Sequence, residues 1–168
     1  MAQDFSDWVA ARGPRLVGFG YLLCRDRDLA QDLAQEALAR LHLHWQRISR
    51  DGDPEAYARR CMLNQLLTWR RRRSWSEQTM ESDRLDRVGV DTPDHSDRIG
   101  THEAMWALLG ALPIRQRAVV VLRFYEDCTD AEIADLLGCR QATVRSHASK
   151  ALARLRDQLE RQTQGAQL

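Results

Sequence analysis

Residues 129–150 read TDAEIADLLGCRQATVRSHASK, and this stretch decides the fold of the C-terminal part of the chain. Thr129 and Glu132 have the spacing of a capping box, in which each side chain accepts a backbone N–H of the other residue at a helix start. Gly138 supplies the positive φ that ends a helix sharply. The spacing predicts a short helix before Gly138. Its predicted inner side consists of four apolar residues, Ile133, Ala134, Leu136 and Leu137.

A second helix is predicted to begin near Gln141, with its apolar residues on one face at a period of 3.6. That face consists of Val144, Ala148, Ala151, Leu152 and Leu155. The chain has only acidic charges from Cys128 to Gly138 and only basic charges from Cys139 to Arg156. A solvated helical hairpin is the alternative, but such a hairpin usually mixes charges of both signs. The pattern therefore predicts a helix-turn-helix that places its second helix in the major groove of DNA.

The composition of the whole chain favours an all-α protein. The 168 residues suit one ordinary domain or two small ones, and strand-like alternation is nearly absent. Residues 1–75 carry 13 basic and 9 acidic side chains, whereas residues 76–100 carry 3 and 7. We therefore expect two small helical domains, 1–75 and 101–168, joined by an acidic flexible linker at 76–100, with a helical turn near Asp83–Val88.

Several classes of protein are not expected. The acidic N-terminus and the lack of an 18-residue apolar run argue against a signal peptide and against membrane insertion. The scattered cysteines predict reduced thiols in a cytoplasmic protein. They are Cys24, Cys61, Cys128 and Cys139. His42 and His44 fall on different sides of a helix, so we expect no metal site and no other cofactor.

The N-terminal part reads as a series of helices. Residues 4–24 predict one or two helices with a break at Gly13 and Pro14, and residues 28–45 predict another. The latter has an apolar stripe made of Leu29, Leu33, Ala37, Leu41 and Trp45. Its opposite face carries Asp32, Gln35, Glu36 and Arg40. A polar loop is predicted from Arg47 to Gly52, and Asp53-Pro54-Glu55 predicts a new helix over 54–75.

The helix predicted over 54–75 ends in four consecutive arginines, Arg70 to Arg73. These side chains repel one another unless an anion lies alongside, so the phosphate backbone of a nucleic acid is the favoured partner. A solvated charge run is the alternative. In the C-terminal part, a helix is predicted over 102–112, and Pro113 starts another. The predicted inner side of that helix is Val119, Val120, Leu122, Phe124 and Tyr125.

These features together resemble a bacterial sigma factor of the small extracytoplasmic-function class, over nearly the whole chain. Asp32-Leu33-Ala34-Gln35-Glu36-Ala37 is similar to the D-L-x-Q-E segment with which sigma domain 2 docks on the β′ clamp helices of RNA polymerase. The resemblance implies a core-binding surface formed by Asp32, Gln35, Glu36 and Arg40. It also implies contact with the β flap and, as in many relatives, control by an anti-sigma factor.

The resemblance further implies two DNA-binding surfaces, and no enzymatic activity. Domain 2 would capture an unstacked −10 base in a pocket formed by the Arg47–Asp53 loop with Asn64. The implied −10 surface is Arg47, Ser49, Arg50, Tyr57, Arg60, Asn64, Thr68, Arg70, Arg71, Arg72 and Arg73. Domain 4 would read the −35 element as duplex DNA. The implied −35 surface is Arg140, Gln141, Thr143, Arg145, Ser146, Ser149 and Lys150.

Two other functions fit parts of the sequence. A helix-turn-helix regulator with an unrelated N-terminal lobe would explain residues 129–150, but not the acidic face and the arginine run together. An α-helical enzyme would use four carboxylates as metal ligands, although these residues more simply cap and solvate a helix. They are Asp26, Asp28, Asp32 and Glu36. Only a sigma factor would form a stoichiometric complex with core RNA polymerase.

Overall fold

The computed structural model describes the backbone of residues 4–78 and 101–165, and the side chains of residues 4–73 and 105–165. Within these ranges every regular element is a helix, which confirms the prediction of an all-α protein. The chain divides into two compact units, the first with the N-terminal helices and the second with most of the C-terminal ones. The turn predicted near Asp83–Val88 lies outside the described residues.

The N-terminal unit is built from α1 (Phe5–Cys24), α2 (Arg27–Leu43), α3 (Trp45–Asp51) and α4 (Pro54–Gln78). Helix α2 packs against both α1 and α4. The largest fully buried side chains form one apolar core in this unit. They are Leu16, Phe19, Leu23, Leu33, Leu41, Met62, Leu63 and Leu66. One side of α2 is therefore fixed by packing, and its other side is left to solvent.

Helix α1 is continuous, so the break predicted at Gly13 and Pro14 is wrong. Proline inside a helix removes one backbone hydrogen bond and usually bends or ends the helix. Here Trp8 before the proline and Leu16 after it are both buried. We attribute the continuity to this packing on both sides of Pro14, because burial outweighs the loss of one hydrogen bond.

A glycine sets the distance between α1 and α2. A Cβ atom built on Gly20 would lie 2.8 Å from Cε of Met62 and 3.3 Å from Cα of Ala30. Ala30 and Ala34 are themselves buried on the adjoining side of α2. Small residues at a helix contact let the two backbones approach closely, and this close approach fixes where the exposed side of α2 points.

The segment from Arg47 to Gly52 is not the predicted loop, because residues Trp45–Asp51 form α3. The Ile48 N–H donates to the His44 carbonyl at 3.0 Å, and the Gly52 N–H donates to the Ile48 carbonyl at 3.0 Å. Ile48 is buried and anchors this short helix. A seven-residue helix with one buried residue has no apolar repeat, so no periodic pattern in the sequence indicates it.

The C-terminal unit contains α5 (Thr101–Gly110), α6 (Ile114–Val120), a π-helical turn (Val121–Tyr125), α7 (Asp130–Leu137) as far as Asp135, and α8 (Gln141–Gly165). Its buried apolar residues include Leu109, Leu112, Val119, Leu122, Ile133, Val144, Ala148 and Ala151. Arg117 is also buried, and its Nη2 donates to the carbonyls of Gly110 and Leu112 at 3.0 and 3.1 Å. This arginine therefore pairs with one carbonyl at the end of α5 and one in the turn that follows it.

Phe124 and Tyr125 are not on the inner side as predicted, since they are 58% and 64% exposed. The Glu126 N–H donates to the Val121 carbonyl at 3.1 Å, a five-residue step that belongs to a π-helix. This wider turn ends the 3.6-residue period on which the prediction was based. Leu152 is also predicted to face inward but is 42% exposed. The last buried residue of α8 is Ala151, and the helix continues beyond it to Gly165.

Candidate functional site

The segment before α8 contains the capping box and the helix-ending glycine that the sequence predicts. The Thr129 N–H donates to Oε2 of Glu132 at 2.7 Å, and the Glu132 N–H donates to Oγ1 of Thr129 at 3.3 Å. Gly138 has a φ of 61° and ends α7. The predicted inner side is buried, as expected for Ile133, Ala134, Leu136 and Leu137. The helix-turn-helix predicted from residues 129–150 is therefore present.

All the side chains predicted to contact the −35 element are exposed on the first turns of α8. They are Arg140, Gln141, Thr143, Arg145, Ser146, Ser149 and Lys150. Val144 and Ala148 are buried behind them. The carbonyl of Arg140 accepts the N–H groups of Thr143 and Val144 at 2.9 and 3.1 Å, and the Arg140 side chain cannot cap the helix because a guanidinium has no acceptor. This surface presents basic and hydroxyl groups that suit DNA.

His147 lies at the edge of this surface and is half-buried. Burial lowers the pKa of its imidazole below the usual value, and the nearby positive charges of Arg115 and Lys150 lower it further. At neutral pH the ring is therefore uncharged. His147 thus adds no positive charge to the basic surface of α8.

Three charged side chains connect different elements of this unit. Asp130, at the start of α7, accepts a hydrogen bond from Nη2 of Arg123 in the π-helical turn. Nη1 of Arg145 lies 4.0 Å from the other carboxylate oxygen of Asp130. Sequence reasoning missed this group because the three residues are far apart in the chain and are brought together by the fold.

The residues predicted to bind core polymerase share the exposed side of α2. Asp32, Gln35 and Glu36 line a shallow groove together with Ala39 and with Gln65 of α4. Nε of Arg40 donates to Oε1 of Glu36 at 2.9 Å, and this hydrogen bond raises the pKa of Arg40. Asp32 and Gln35 make no side-chain hydrogen bond to any residue that the structure describes. The groove thus has carboxylate and amide groups free to bind another chain.

Gln65 is a residue of this groove that sequence reasoning missed. Its Oε1 atom is buried and has no hydrogen-bond partner among the described residues. An unsatisfied buried oxygen costs free energy. Its position depends on how α4 packs against α2, which no local sequence pattern reveals.

The residues predicted to bind the −10 element lie on α3 and α4. Arg47 and Arg50 are exposed on α3, and Ser49 is half-buried. On α4 the predicted residues recur every three or four positions, on one side of the helix. They are Tyr57, Arg60, Asn64 and Thr68. Except for the half-buried Tyr57, these α4 residues are exposed.

Tyr57 lies close to the start of α3, whereas Asn64 lies farther along α4. The rings of His44 and Tyr57 are 6.3 Å apart in an edge-on arrangement. Asn64 is about 10 Å beyond Tyr57 along the helix axis. The sequence predicts a pocket formed by a loop from Arg47 to Asp53. In the structure most of this segment is helix α3, so a helix and not a loop lies on this side of the surface. The Asn64 side chain has no hydrogen-bond partner within the described residues, so its amide can bind a base.

Tyr57 and Cys61 form a hydrogen-bonded pair on α4. Burial raises the pKa of both groups, and the thiol of Cys61 also raises that of Tyr57. Cys61 is therefore a protonated thiol at neutral pH. The pair is polar but uncharged, and the positive charge of Arg40 lowers the pKa of both groups.

The arginine run lies near the end of α4, where Arg71, Arg72 and Arg73 are exposed and Arg70 is half-buried. The guanidinium carbon of Arg73 lies 5.3 Å from the centre of the Trp69 ring, and Trp69 is 39% exposed. A cation over an aromatic face is favourable. The cluster thus combines several positive charges with an accessible aromatic ring, which suits a nucleic-acid strand.

Comparison with known proteins identifies the class to which this fold and these surfaces belong. The family model for sigma-70 region 2 matches residues 8–76, and the model for sigma-70 region 4 matches residues 102–155. The chain is 36% identical to an RNA polymerase sigma-E factor of Streptomyces avermitilis over 94% of this chain and 86% of that protein. The corresponding protein of Streptomyces antibioticus is 38% identical over 94% and 85%. The chain belongs to the sigma-70 family.

Within that family the chain is an extracytoplasmic-function sigma factor. It binds core RNA polymerase and promoter DNA and directs promoter-specific initiation of transcription, and it is not an enzyme. The predicted identity and function are thereby confirmed. The same findings remove the alternatives of an unrelated helix-turn-helix regulator and of a metal-dependent enzyme.

Solved structures agree on the fold. The sigma factor RpoE in complex with the anti-sigma factor NepR from Bartonella quintana has a TM-score of 0.71, at 22% identity, over 94% of this chain and 97% of that one. The PhyRSL–NepR complex from Sphingomonas sp. Fr1 has a TM-score of 0.62, at 18% identity, over 92% and 88%. Of the helices described here, none is long and apolar enough to span a membrane.

Proposed function

We propose that this sigma factor binds core polymerase through the exposed side of α2, with the clamp helices of the β′ subunit as its partner. The observation that supports this most is the groove formed by Asp32, Gln35 and Glu36 with Gln65. Its backing by α1 and α4 holds the polar groups in place before binding, which reduces the entropy lost on association. Arg40 completes the surface by fixing the carboxylate of Glu36.

The proposed DNA contacts are divided between the two units. The exposed side of α8 inserts into the major groove of the −35 element, with Arg145 reading a base pair and Lys150 contacting phosphate. The surfaces of α3 and α4 capture the −10 element after it melts, with Asn64 contacting an unstacked base. Arg70 to Arg73 contact phosphates and contribute affinity that does not depend on sequence.

The proposed domain division is domain 2 at 1–75, a linker at 76–100 and domain 4 at 101–168. The net negative charge of the linker would let it occupy a path in polymerase that otherwise holds RNA, and domain 4 would contact the β flap. We place the protein in the cytoplasm, where polymerase acts. An anti-sigma factor is a candidate regulator, because the RpoE structure is a complex with one.

Reconstitution with core polymerase tests these assignments. Promoters are first found by mapping the transcripts that the reconstituted holoenzyme starts. Asn64→Ala should then leave initial binding to duplex promoters intact but reduce permanganate reactivity of the melted −10 region. Normal opening by the Asn64 variant would contradict the −10 assignment.

Neutralising Arg70 to Arg73 gives a different expected result. It should weaken binding to every promoter and reduce the slope of log affinity against log salt by roughly 0.7–0.9 for each phosphate that the variant no longer neutralises. Exposed Arg161, near the end of α8, provides a control for the loss of a positive charge, because it lies outside the basic stretch from Cys139 to Arg156 and outside the proposed −10 surface. An unchanged salt slope after neutralising the run would remove it from the DNA-binding surface.

A further inference from the structure

Asp130 lies between two arginines that belong to different elements of the C-terminal unit. Its Oδ1 accepts a hydrogen bond from Arg123 in the π-helical turn, and its Oδ2 lies 4.0 Å from Nη1 of Arg145 on α8. The side chains of Arg123 and Asp130 are 26% and 25% exposed, whereas that of Arg145 is 61% exposed. One oxygen is thus held by a partly covered partner, and the other faces the exposed guanidinium.

The two contacts of Asp130 differ in strength. The contact with Arg123 is a direct, partly covered, charge-assisted hydrogen bond, which is stronger and less screened than an exposed ion pair. The contact with Arg145 is longer and more exposed, so it restrains that side chain only weakly. Arg145 can therefore leave Asp130 for another partner, while Asp130 stays fixed by Arg123.

We infer that Asp130 is a positioning residue that orients the guanidinium of Arg145 for base recognition in the −35 element. This inference rests on the proposed role of Arg145. Even a weak ion pair limits the range of orientations that a long side chain samples, so Arg145 loses somewhat less entropy when it pairs with the correct base. The same carboxylate repels phosphates and weakens binding to every sequence. Asp130 thus lowers overall affinity and raises discrimination, which depends only on the difference between sequences.

The test measures binding of the reconstituted holoenzyme to promoters that differ by single base pairs in the −35 element. Asp130→Asn removes the charge but keeps the size of the side chain. It should reduce the preference at the base pair read by Arg145 by roughly two- to fivefold, the range of an exposed ion pair. Affinity for the other single-base variants should rise. Asp130→Glu keeps the charge and should retain more of the preference.

Asp157→Asn is the matched control for the loss of one negative charge. Asp157 is exposed on α8 and lies about 18 Å along the helix axis from Arg145. The Asp157→Asn substitution should leave the base preference at the −35 element unchanged. In an Arg145→Ala background, Asp130→Asn should cause no further change in preference, because the side chain through which it acts is gone. A folding defect would instead weaken binding to all promoters by the same factor.

The outcomes separate this inference from the function on which it rests. If Arg145→Ala abolishes the preference at one base pair and Asp130→Asn behaves like Asp157→Asn, the role of Asp130 is overturned and that of Arg145 stands. If Arg145→Ala weakens all promoters equally, Arg145 does not read sequence, and both assignments are wrong. A reduced preference in Asp130→Asn that depends on Arg145 supports the inference.

Discussion

The exposed sides of α2 and of the first half of α8 are both polar, but they are held in place in different ways. Helix α2 packs against α1 and α4, and Ala30, Ala34 and Ala37 are almost completely buried. Helix α8 is anchored by Val144, Ala148 and Ala151. Both surfaces are thus backed by completely buried small residues, but α2 is packed between two helices of its unit, whereas α8 packs mainly against α6 and its exposed Arg145 also faces Asp130 of α7.

The two surfaces also differ in charge. On α2, carboxylate and amide groups predominate, and Glu36 is already paired with Arg40. The first half of α8 carries basic groups without an acid of its own, and Asp130 of α7 is the acid that faces Arg145. Directed hydrogen bonds suit recognition of a protein, whereas an excess of positive charge suits DNA.

The largest expected effect comes from breaking the α2 surface. Gln35→Ala with Glu36→Lys should weaken binding to core polymerase by about thirtyfold or more, the effect of removing a central interface residue. The free energy of unfolding should change by less than about 0.5 kcal/mol, because both side chains are exposed. Gln162→Ala with Glu160→Lys, at the exposed end of α8, is the matched control. Equal affinity of the α2 variant and the control would refute the docking assignment.

The next largest effect is expected on the recognition of −35 base pairs by α8. Arg145→Ala should remove about 1–3 kcal/mol of discrimination at one −35 base pair, because its guanidinium can pair with both acceptors of a guanine. Lys150→Ala should weaken binding to all sequences about equally, since an ammonium on a flexible stem suits a phosphate. Affinities for a panel of single-base −35 variants provide the measurement. A uniform decrease for Arg145→Ala would show that this residue only contacts the backbone.

Two glycines of α1 test whether packing fixes α2. Gly20→Ala should destabilise the N-terminal unit by a net of about 1–2 kcal/mol, because the new methyl group collides with Met62 and Ala30. A Cβ atom built on Gly18 would meet no other atom within 4 Å, so Gly18→Ala should stabilise the same helix by about 0.5–1 kcal/mol. Urea unfolding followed by tryptophan fluorescence reports on this unit when Trp106 of α5 is replaced by phenylalanine in every variant, because the remaining tryptophans lie in α1 to α4. The same sign for both substitutions would contradict the close approach.

The smallest expected effect comes from the turn that starts α7. Thr129→Ala removes the hydroxyl that accepts the Glu132 N–H and should destabilise the C-terminal unit by about 1 kcal/mol. Thr163→Ala is a control, because the Thr163 hydroxyl only donates to the Leu159 carbonyl on exposed α8. Differential scanning calorimetry should show a lower melting temperature for the Thr129 variant alone. Equal melting temperatures would mean that the capping box contributes little to stability.

Local chemistry explains which parts of the fold could be predicted. The capping box at Thr129 and the glycine at 138 act within a few residues, so the sequence alone predicts α7 and the start of α8. Helix α3 was missed because its single buried residue, Ile48, produces no periodic signal. Phe124 and Tyr125 were placed inside because the π-helical turn changes the period on which that prediction relied.

The same distinction between local sequence effects and packing between helices applies to the candidate sites. Exposure of Gln35 and Arg145 could be predicted, because each lies beside a buried residue in a regular helix. The groove contribution of Gln65 and the pairing of Asp130 with Arg145 could not, since they depend on packing between helices and on residues distant in sequence. Patterns along one helix therefore predict which side chains face outward, but not which side chains of other helices lie beside them.

Binding of core polymerase by α2 and reading of the −35 element by α8 are proposed to be separate properties of two separate surfaces. The most direct test measures both affinities for two variants, the Gln35→Ala, Glu36→Lys pair and Arg145→Ala. The full-length protein is titrated with core polymerase, and holoenzyme formed at saturating protein is titrated with the −35 panel. We predict that the α2 variant loses core affinity but keeps the base preference, while Arg145→Ala keeps core affinity and loses the preference. If either variant changed both properties equally, the two surfaces would not have separate functions.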